Sequence, residues 1–230
     1  MTIAENIARI RANMDAAARE AGRDPKEILL VGASKMNDAA ACREAVAAGI
    51  DALGENRVQE MVQKLEQHAY DGAPLHFIGH LQRNKVKQVV GHVALIQSVG
   101  SLELLDEIEK VAAARGLVQD ILLEVNIGRE AAKSGFAPEK VLPAAEAALE
   151  QTHVRVRGLM TIPPADAQRD ANFRYFQEVQ ALYVDMNQKL FHNELEYLSM
   201  GMSGDYEDAI RAGATMVRVG SAIFGARHYN

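Results

Sequence analysis

The chain has 230 residues, of which 48% are hydrophobic and 24% are charged, and its net charge is −6. These proportions are typical of a globular protein, and the negative charge argues against a nucleic-acid-binding protein. No apolar run approaches the roughly 20 residues of a membrane span, and the charged, alanine-rich N-terminal segment indicates a helix and not a signal peptide. The single cysteine, Cys42, cannot form an internal disulfide, so we expect a cytoplasmic protein.

Apolar strand-like runs alternate with helical patterns along the chain. Strands are predicted at Ile28–Ala33, Ile50–Gly54, Leu75–Gly79, Ala94–Val99, Asp120–Ile127, Val154–Ile162, Glu194–Met200 and Ala214–Val219. Helices are predicted at Thr2–Ala21, Ala39–Ala48, Val58–Glu66, Asn84–Val90, Leu102–Arg115, Pro138–Glu150, Asp170–Leu190 and Asp205–Arg211.

This alternation predicts a parallel sheet with right-handed crossovers. Eight such units in 230 residues predict an α/β protein, a single (β/α)₈ TIM barrel spanning residues 1–230 with an extra N-terminal helix. An open, doubly wound sheet is the alternative, but no Gly-x-Gly-x-x-Gly motif follows the first strand.

Lys35 comes directly after the first buried strand, at the rim of the predicted barrel. A lysine there can be partly desolvated, which lowers its pKa towards the neutral, nucleophilic amine. A solvated lysine at a strand end is the alternative, and this signal alone is weak.

Two strand exits near the carboxyl end of the sequence contain glycine and serine. Ser203 lies at the predicted N-cap of one helix, and Gly220 and Ser221 follow the last strand. Backbone N–H groups at such exits can hold a phosphate, although tight turns without a ligand are the alternative. Because strands one and eight are neighbours in a closed barrel, Lys35 and these loops are expected at one mouth.

A reactive amine beside a phosphate site suits a phosphorylated carbonyl compound held as a Schiff base. The compound could be pyridoxal 5′-phosphate (PLP) or the sugar-phosphate substrate of an aldolase. Strand alternation puts Arg218 on the face opposite its apolar neighbours. If Arg218 points into the mouth, it can donate to the pyridine nitrogen of PLP, which then stays unprotonated and makes the ring a poor electron sink. A surface salt bridge is the alternative for Arg218.

Seven stretches in collinear order carry a resemblance to a known family. They are Ala33–Lys35, Leu53–Glu60, His76–Lys85, Gln97–Ser98, Glu124–Gly135, Gly158–Met160 and Leu198–Gly225. The chain resembles the YggS/PROSC family of PLP-binding proteins, also called PLP homeostasis proteins, which are similar to the N-terminal barrel of alanine racemase, a fold-type III PLP enzyme. It departs from the family pattern at Met36, Asp38, His80 and Gly100.

The resemblance implies a role for each matching site residue. Lys35 would hold PLP as the Schiff base, Arg218 would face the pyridine nitrogen, and Asn56 would lie near the ring. The phosphate would be bound by Ser203 and the backbone of Gly220 and Ser221, and the floor of the site would be formed by Met200, Gly201 and Met202.

The resemblance also implies a function in intracellular PLP (vitamin B6) homeostasis without a known catalytic reaction. We expect a monomer that binds PLP. Other B6 vitamers and PLP-dependent apo-enzymes are candidate partners, whereas neither nucleic acid nor a membrane is expected as a partner. An amino-acid racemase or a Schiff-base aldolase is the alternative. Racemase activity is expected to be negligible because only about ten residues follow the last strand, and neither Tyr206 nor Tyr229 matches the second base of alanine racemase.

Other polar residues carry weaker signals. His76 and His80 stand four residues apart, but along a strand that spacing is about 13 Å, so a shared metal ion is not expected. Glu55 and Glu60 flank a predicted helix start, where helix capping or surface solvation explains them at least as well as acid–base roles.

Overall fold

In the computed structural model, which describes residues 1–164 and 169–225, eight parallel strands close into a barrel. The strands are β1 (Leu29–Ala33), β2 (Ala52–Glu55), β3 (Leu75–Phe77), β4 (Leu95–Val99), β5 (Gln119–Val125), β6 (Val154–Thr161), β7 (Tyr197–Ser199) and β8 (Met216–Val219). Each strand pairs with the next along the chain, and β8 closes the barrel on β1 with Val31 opposite Arg218. The predicted barrel is confirmed, and the open sheet is excluded.

The helices surround this barrel. They are α1 (Ile3–Glu20), α2 (Ala39–Ala47), α3 (Val58–Glu66), α4 (Leu102–Arg115), α5 (Val141–Leu149), α6 (Arg169–Leu190), α7 (Tyr206–Arg211) and α8 (Ser221–Phe224). The segment predicted as a helix at Asn84–Val90 is a 3₁₀ helix at Arg83–Gln88, and the four-residue α8 was not predicted because it is too short to show a helical period. Across the described ranges, no helix is both long and apolar enough to cross a bilayer.

Helix α1 packs beside the end of the barrel that carries the last loops. A capping box starts it: Thr2 Oγ1 accepts from the Glu5 N–H at 3.1 Å, and the Glu5 carboxylate accepts from the Thr2 N–H at 2.8 Å. Its buried face carries Asn6, whose Nδ2 donates to the carbonyl of Ile223 in α8 at 2.8 Å. The N-terminal helix therefore fixes the short helix that follows β8.

Alternation along the strands sorts side chains between two cores. Inward side chains form a small cluster inside the barrel, which contains Val31, Ala52, Leu95, Leu122, Met160 and Met216. Their sequence neighbours, such as Leu30, Leu53 and Val217, pack outward against the helices. Each strand therefore has one face in the barrel interior and one in the helical layer, and this periodicity fixes the direction of the polar residues at the carboxyl ends.

Candidate functional site

A cavity of about 460 Å³ opens at the carboxyl ends of β1 and β8. Six of the residues predicted from the sequence line it: Lys35, Met202, Ser203, Arg218, Gly220 and Ser221. Residues from both ends of the sequence meet there because β1 and β8 are paired. The predicted convergence of the lysine and the two carboxyl-end loops is thus observed.

Strand alternation directs Lys35 into this cavity. Val31 points into the barrel and Leu30 points outward, so the same period turns Ser34 outward and Lys35 inward. Ser34 is fully buried, and its N–H continues the ladder by donating to the Gly54 carbonyl at 2.9 Å. The next residue, Met36, has a φ of 63°, a left-handed conformation uncommon for residues other than glycine. The backbone therefore turns sharply directly after Lys35, at Met36.

The loops after β7 and β8 are joined by Ser203. Its Oγ accepts from the N–H of Gly220 at 3.2 Å and from that of Ala222 at 3.4 Å. The prediction that Ser203 caps α7 is wrong, because α7 begins after Asp205, and the Asp205 carboxylate instead accepts from the Met202 N–H at 2.7 Å. The serine oxygen therefore marks a point in the cavity where two backbone donors converge on one acceptor.

Two glycines permit the close approach of these loops. Gly201 has a φ of 90°, and a Cβ there would lie 2.5 Å from the Cβ of Ala209. At Gly220 a Cβ would lie 3.2 Å from the carbonyl oxygen of Ala33, at the end of β1. A side chain at Gly201 would therefore clash with Ala209, and one at Gly220 would crowd the end of β1.

Arg218 lies inside the barrel, so a surface salt bridge is excluded. Its Nη1 donates to Ser199 Oγ at 2.6 Å and its Nη2 to the Thr161 carbonyl at 2.9 Å. Burial lowers the pKa of Arg218 to about 10, although the carboxylates of Asp205 and Glu124 act in the opposite direction. Because that value is well above neutral pH, Arg218 presents a positive charge to the cavity.

Below Arg218, a polar chain crosses the barrel interior. Ser199 Oγ donates to Gln97 Oε1 at 2.6 Å, and Gln97 Nε2 lies 3.0 Å from His76 Nδ1. Since the Gln97 oxygen is an acceptor, its amide nitrogen donates, and His76 Nδ1 accepts as a neutral ring. Burial lowers the pKa of His76 to about 4. Gln97 and Ser199 had no predicted role, although a polar residue at an inward position of an apolar strand was a usable signal.

The remaining predicted residues lie around this cavity but do not line it. Asn56 is half-buried at the end of β2, and its Oδ1 accepts no hydrogen bond from the described residues. The Met200 side chain is fully buried in the helical layer, behind the loop and not in the floor of the cavity. Tyr206 points away, towards α1, and its hydroxyl accepts from Asn13 Nδ2 at 3.0 Å. Tyr229 lies outside the described residues.

The carboxylate predictions also need correction. Glu55 is fully buried and accepts hydrogen bonds from Ser34, Lys64 and Tyr70, so neither helix capping nor surface solvation describes it. His76 and His80 belong to no group that could hold a metal ion within residues 1–164 and 169–225. The cavity itself is lined by Lys35, by the positively charged Arg218 and by the hydrogen-bonding Ser203, a set of groups that suits an anionic organic ligand.

Sequence comparison matches this chain to one family over nearly its whole length. The model for "Alanine racemase, N-terminal domain" matches residues 6–228. The pyridoxal phosphate homeostasis protein of Pseudomonas aeruginosa is 42% identical over 228 residues, which cover 99% of this chain and 97% of the relative. Both matches include the lysine strand and the two carboxyl-end loops described above.

Solved structures agree with this assignment. The Synechococcus elongatus protein PipY, in a structure with PLP bound, has a TM-score of 0.84 and 32% identity, covering 97% of this chain and 100% of PipY. Alanine racemase from Clostridium difficile has a TM-score of 0.70 at 18% identity, covering 96% of this chain but 57% of the racemase, which is a likeness of fold. By sequence and by fold, this chain belongs to the alanine racemase N-terminal domain family, among the pyridoxal phosphate homeostasis proteins.

Proposed function

We propose that this protein binds PLP covalently on Lys35 and acts in PLP homeostasis without catalysing a reaction of its own. The observation that carries the proposal is that Lys35, Arg218 and the Ser203 loop line one cavity. The name of the Pseudomonas aeruginosa relative and the PLP bound to PipY support it.

The residues of the cavity fit the three polar ends of PLP. The N–H groups of Gly220 and Ala222, with the Ser203 hydroxyl, would hold the phosphate, because they already converge on one oxygen. The Lys35 amine would attack the aldehyde carbon, forming a C=N bond and releasing the aldehyde oxygen as water. Bound PLP supplies an aldehyde and an aromatic ring that can accept electrons.

Arg218 would face the pyridine nitrogen. The Ser199 and Thr161 contacts hold its guanidinium in one orientation inside the barrel. Because Arg218 keeps its proton at neutral pH, it would donate to the ring nitrogen and keep that nitrogen unprotonated. A ring held this way withdraws electrons poorly, which supports a binding role over a racemase role.

The position of Tyr206 also favours a binding role over a racemase role. Racemisation needs a second acid–base group on the substrate face opposite the lysine. Tyr206 is the tyrosine of the β7 loop region, and its hydroxyl is engaged by Asn13 behind that loop. We therefore favour a homeostasis protein over an amino-acid racemase or an aldolase.

Trapping the covalent bond tests this proposal. Purified protein is incubated with PLP and reduced with borohydride, and the labelled residue is located by peptide mass mapping. We expect the label on Lys35, and Lys35→Ala should lose it while keeping reversible binding through the phosphate contacts. Lys133→Ala is the matched control and should be labelled as the parent is. A label on Lys85 or Lys133 in the parent protein would overturn the assignment.

We further propose a monomer that works in the cytoplasm, exchanging PLP, or other B6 vitamers, with PLP-dependent apo-enzymes. The buried, free thiol of Cys42 supports a reducing compartment. Among the large apolar side chains that are exposed in the described ranges, Leu102 and Leu149 lie on different helices, and Met36 and Met202 line the cavity, which supports a monomer. Sedimentation velocity checks the oligomeric state, and a dimer would contradict it.

A further inference from the structure

A buried ionic cluster lies directly behind the strand end that carries Lys35. It contains Ser34, Glu55, Glu60, Lys64 and Tyr70, and we call it the Lys64 network. It occupies the helical layer between β1, β2 and α3, on the opposite side of the β1 backbone from the cavity. The Lys35 side chain points the other way, into the barrel mouth.

Lys64 is the centre of this cluster. Its side chain is 6% exposed, and its Nζ donates to the Ser34 carbonyl at 2.9 Å, to Glu55 Oε1 at 2.6 Å and to Glu60 Oε1 at 3.2 Å. All three ammonium donors are therefore used. Burial lowers the pKa of Lys64, but the two carboxylates outweigh that effect and raise it, so the ammonium stays charged.

Both neighbours of Lys35 are held by this cluster. On one side, the Ser34 hydroxyl donates to Glu55 Oε1 at 2.6 Å while its carbonyl accepts from Lys64. On the other side, the Met36 N–H donates to Glu60 Oε1. Met36 is the residue in the left-handed conformation, so the Glu60 contact stabilises a backbone turn that methionine disfavours.

We propose that the Lys64 network is a positioning device that presents the Lys35 amine to the aldehyde of PLP, with Glu60 as the residue that sets the turn after Lys35. This inference rests on the proposed function, since it concerns the same covalent bond. The network holds the backbone on either side of Lys35, at the Ser34 carbonyl and the Met36 N–H, and we therefore expect it to affect where the amine lies and not the phosphate contacts around Ser203.

Stability alone does not explain this arrangement. A buried ion pair of this kind is often no more stable than apolar side chains of similar volume. Glu60 is partly exposed, with 20% of its side chain accessible. Its contacts with Met36 and Lys64 join the loop to helix α3. We therefore expect Glu60 to act mainly on the geometry of the loop that follows β1.

The test compares Glu60→Ala with Glu66→Ala, which removes the same charge from an exposed position of the same helix. Each variant is titrated with PLP and with pyridoxine 5′-phosphate, which has an alcohol where PLP has its aldehyde and cannot form the covalent bond. We expect Glu60→Ala to weaken PLP binding and slow the covalent step by roughly tenfold, the effect of one charge-assisted hydrogen bond. Its affinity for pyridoxine 5′-phosphate should be unchanged, and Glu66→Ala should match the parent with both ligands.

Equal weakening of both ligands by Glu60→Ala would overturn the proposal, and so would parent-like binding of PLP. A second variant, Glu55→Gln with Lys64→Met, removes both buried charges together and leaves Glu60, which is partly exposed, without its Lys64 partner. In it we expect faster amide hydrogen exchange at Met36 than in the parent, and unchanged exchange there would also overturn the proposal. If the parent protein itself forms no covalent bond on Lys35, the proposed function fails, and the exchange measurement still reports on the network.

Discussion

Arg218 and Ser199 form the contact that connects the cavity to the interior of the barrel. The guanidinium Nη1 donates to Ser199 Oγ at 2.6 Å, and the Ser199 hydroxyl in turn donates to Gln97 Oε1. Both residues lie at inward positions of adjacent strands, β8 and β7. The charge that would face the ring of PLP is therefore held by the barrel and not by a loop.

Replacing Arg218 should change the electronic state of bound PLP. In Arg218→Gln the positive charge is lost while an amide donor remains, so the pyridine nitrogen can take up a proton and the absorbance of bound PLP should shift. Arg155→Gln is the matched control: it removes an exposed arginine that pairs with Asp120 and does not line the cavity, so it should leave the absorbance of bound PLP unchanged. An Arg218→Gln protein with the parent spectrum and affinity would show that Arg218 does not contact the ring.

The loop after β7 contains two glycines, Gly201 and Gly204, and only Gly201 needs to be glycine. Gly201→Ala should lower the free energy of unfolding by about 1–3 kcal/mol, because φ is 90° and the added Cβ meets Ala209 at 2.5 Å. Gly204→Ala, in the same loop, has no atom within 4 Å of the added Cβ and should change stability by less than about 0.5 kcal/mol. Urea unfolding of both variants checks this, and equal losses would contradict it.

Stability should fall in mild acid because of His76. Burial lowers its pKa to about 4 from an ordinary value of 6.5, so between these values the unfolded chain binds a proton that the folded chain does not. The contribution of His76 is thus complete above pH 6.5 and is lost progressively as the pH falls towards 4, by about 3 kcal/mol at most. His76→Gln, which can still accept from Gln97, should flatten this dependence in urea unfolding across that range. A His76→Gln profile identical to that of the parent would argue against it.

Racemase activity should be negligible. Stoichiometric protein incubated with PLP and L-alanine in D₂O should neither exchange the Cα hydrogen catalytically nor accumulate D-alanine, since Arg218 keeps the ring a poor electron acceptor and Tyr206 faces away from the cavity. Proton NMR and chiral chromatography follow the two reactions. Rapid exchange of the Cα hydrogen with accumulation of D-alanine would show that the protein is a racemase.

Most of the fold could be predicted from local patterns in the sequence. All eight predicted strands are present within three residues of their predicted bounds, and α3 and α4 match at both ends. The strands were recognisable because both faces of a barrel strand are buried, which makes them continuous apolar runs. The place of Lys35 after β1 and the closure of the barrel predicted its position at the rim, whereas strand alternation gave Arg218 a face but left a surface salt bridge open.

What the sequence could not show depends on partners far apart in the chain. Ser203 has the composition of an N-cap, but its hydroxyl bonds to the loop after β8 instead, and no local rule predicts that partner. Glu55 looked like a surface carboxylate beside a helix start, yet it is enclosed by Lys64 and Tyr70. In both cases tertiary packing decided which of several available hydrogen bonds the side chain makes.

The closure of β8 on β1 has a consequence for when the protein can first take up a ligand. The cavity is built from residues near 35 and from residues beyond 200, so its two halves are synthesised far apart in time. A nascent chain still lacking β8 has neither the Arg218 charge nor the Gly220 turn, and its β1 edge is unpaired. Cofactor capture can therefore begin only after β8 has been synthesised and has paired with β1, and a ligand present before that step has no complete site to bind.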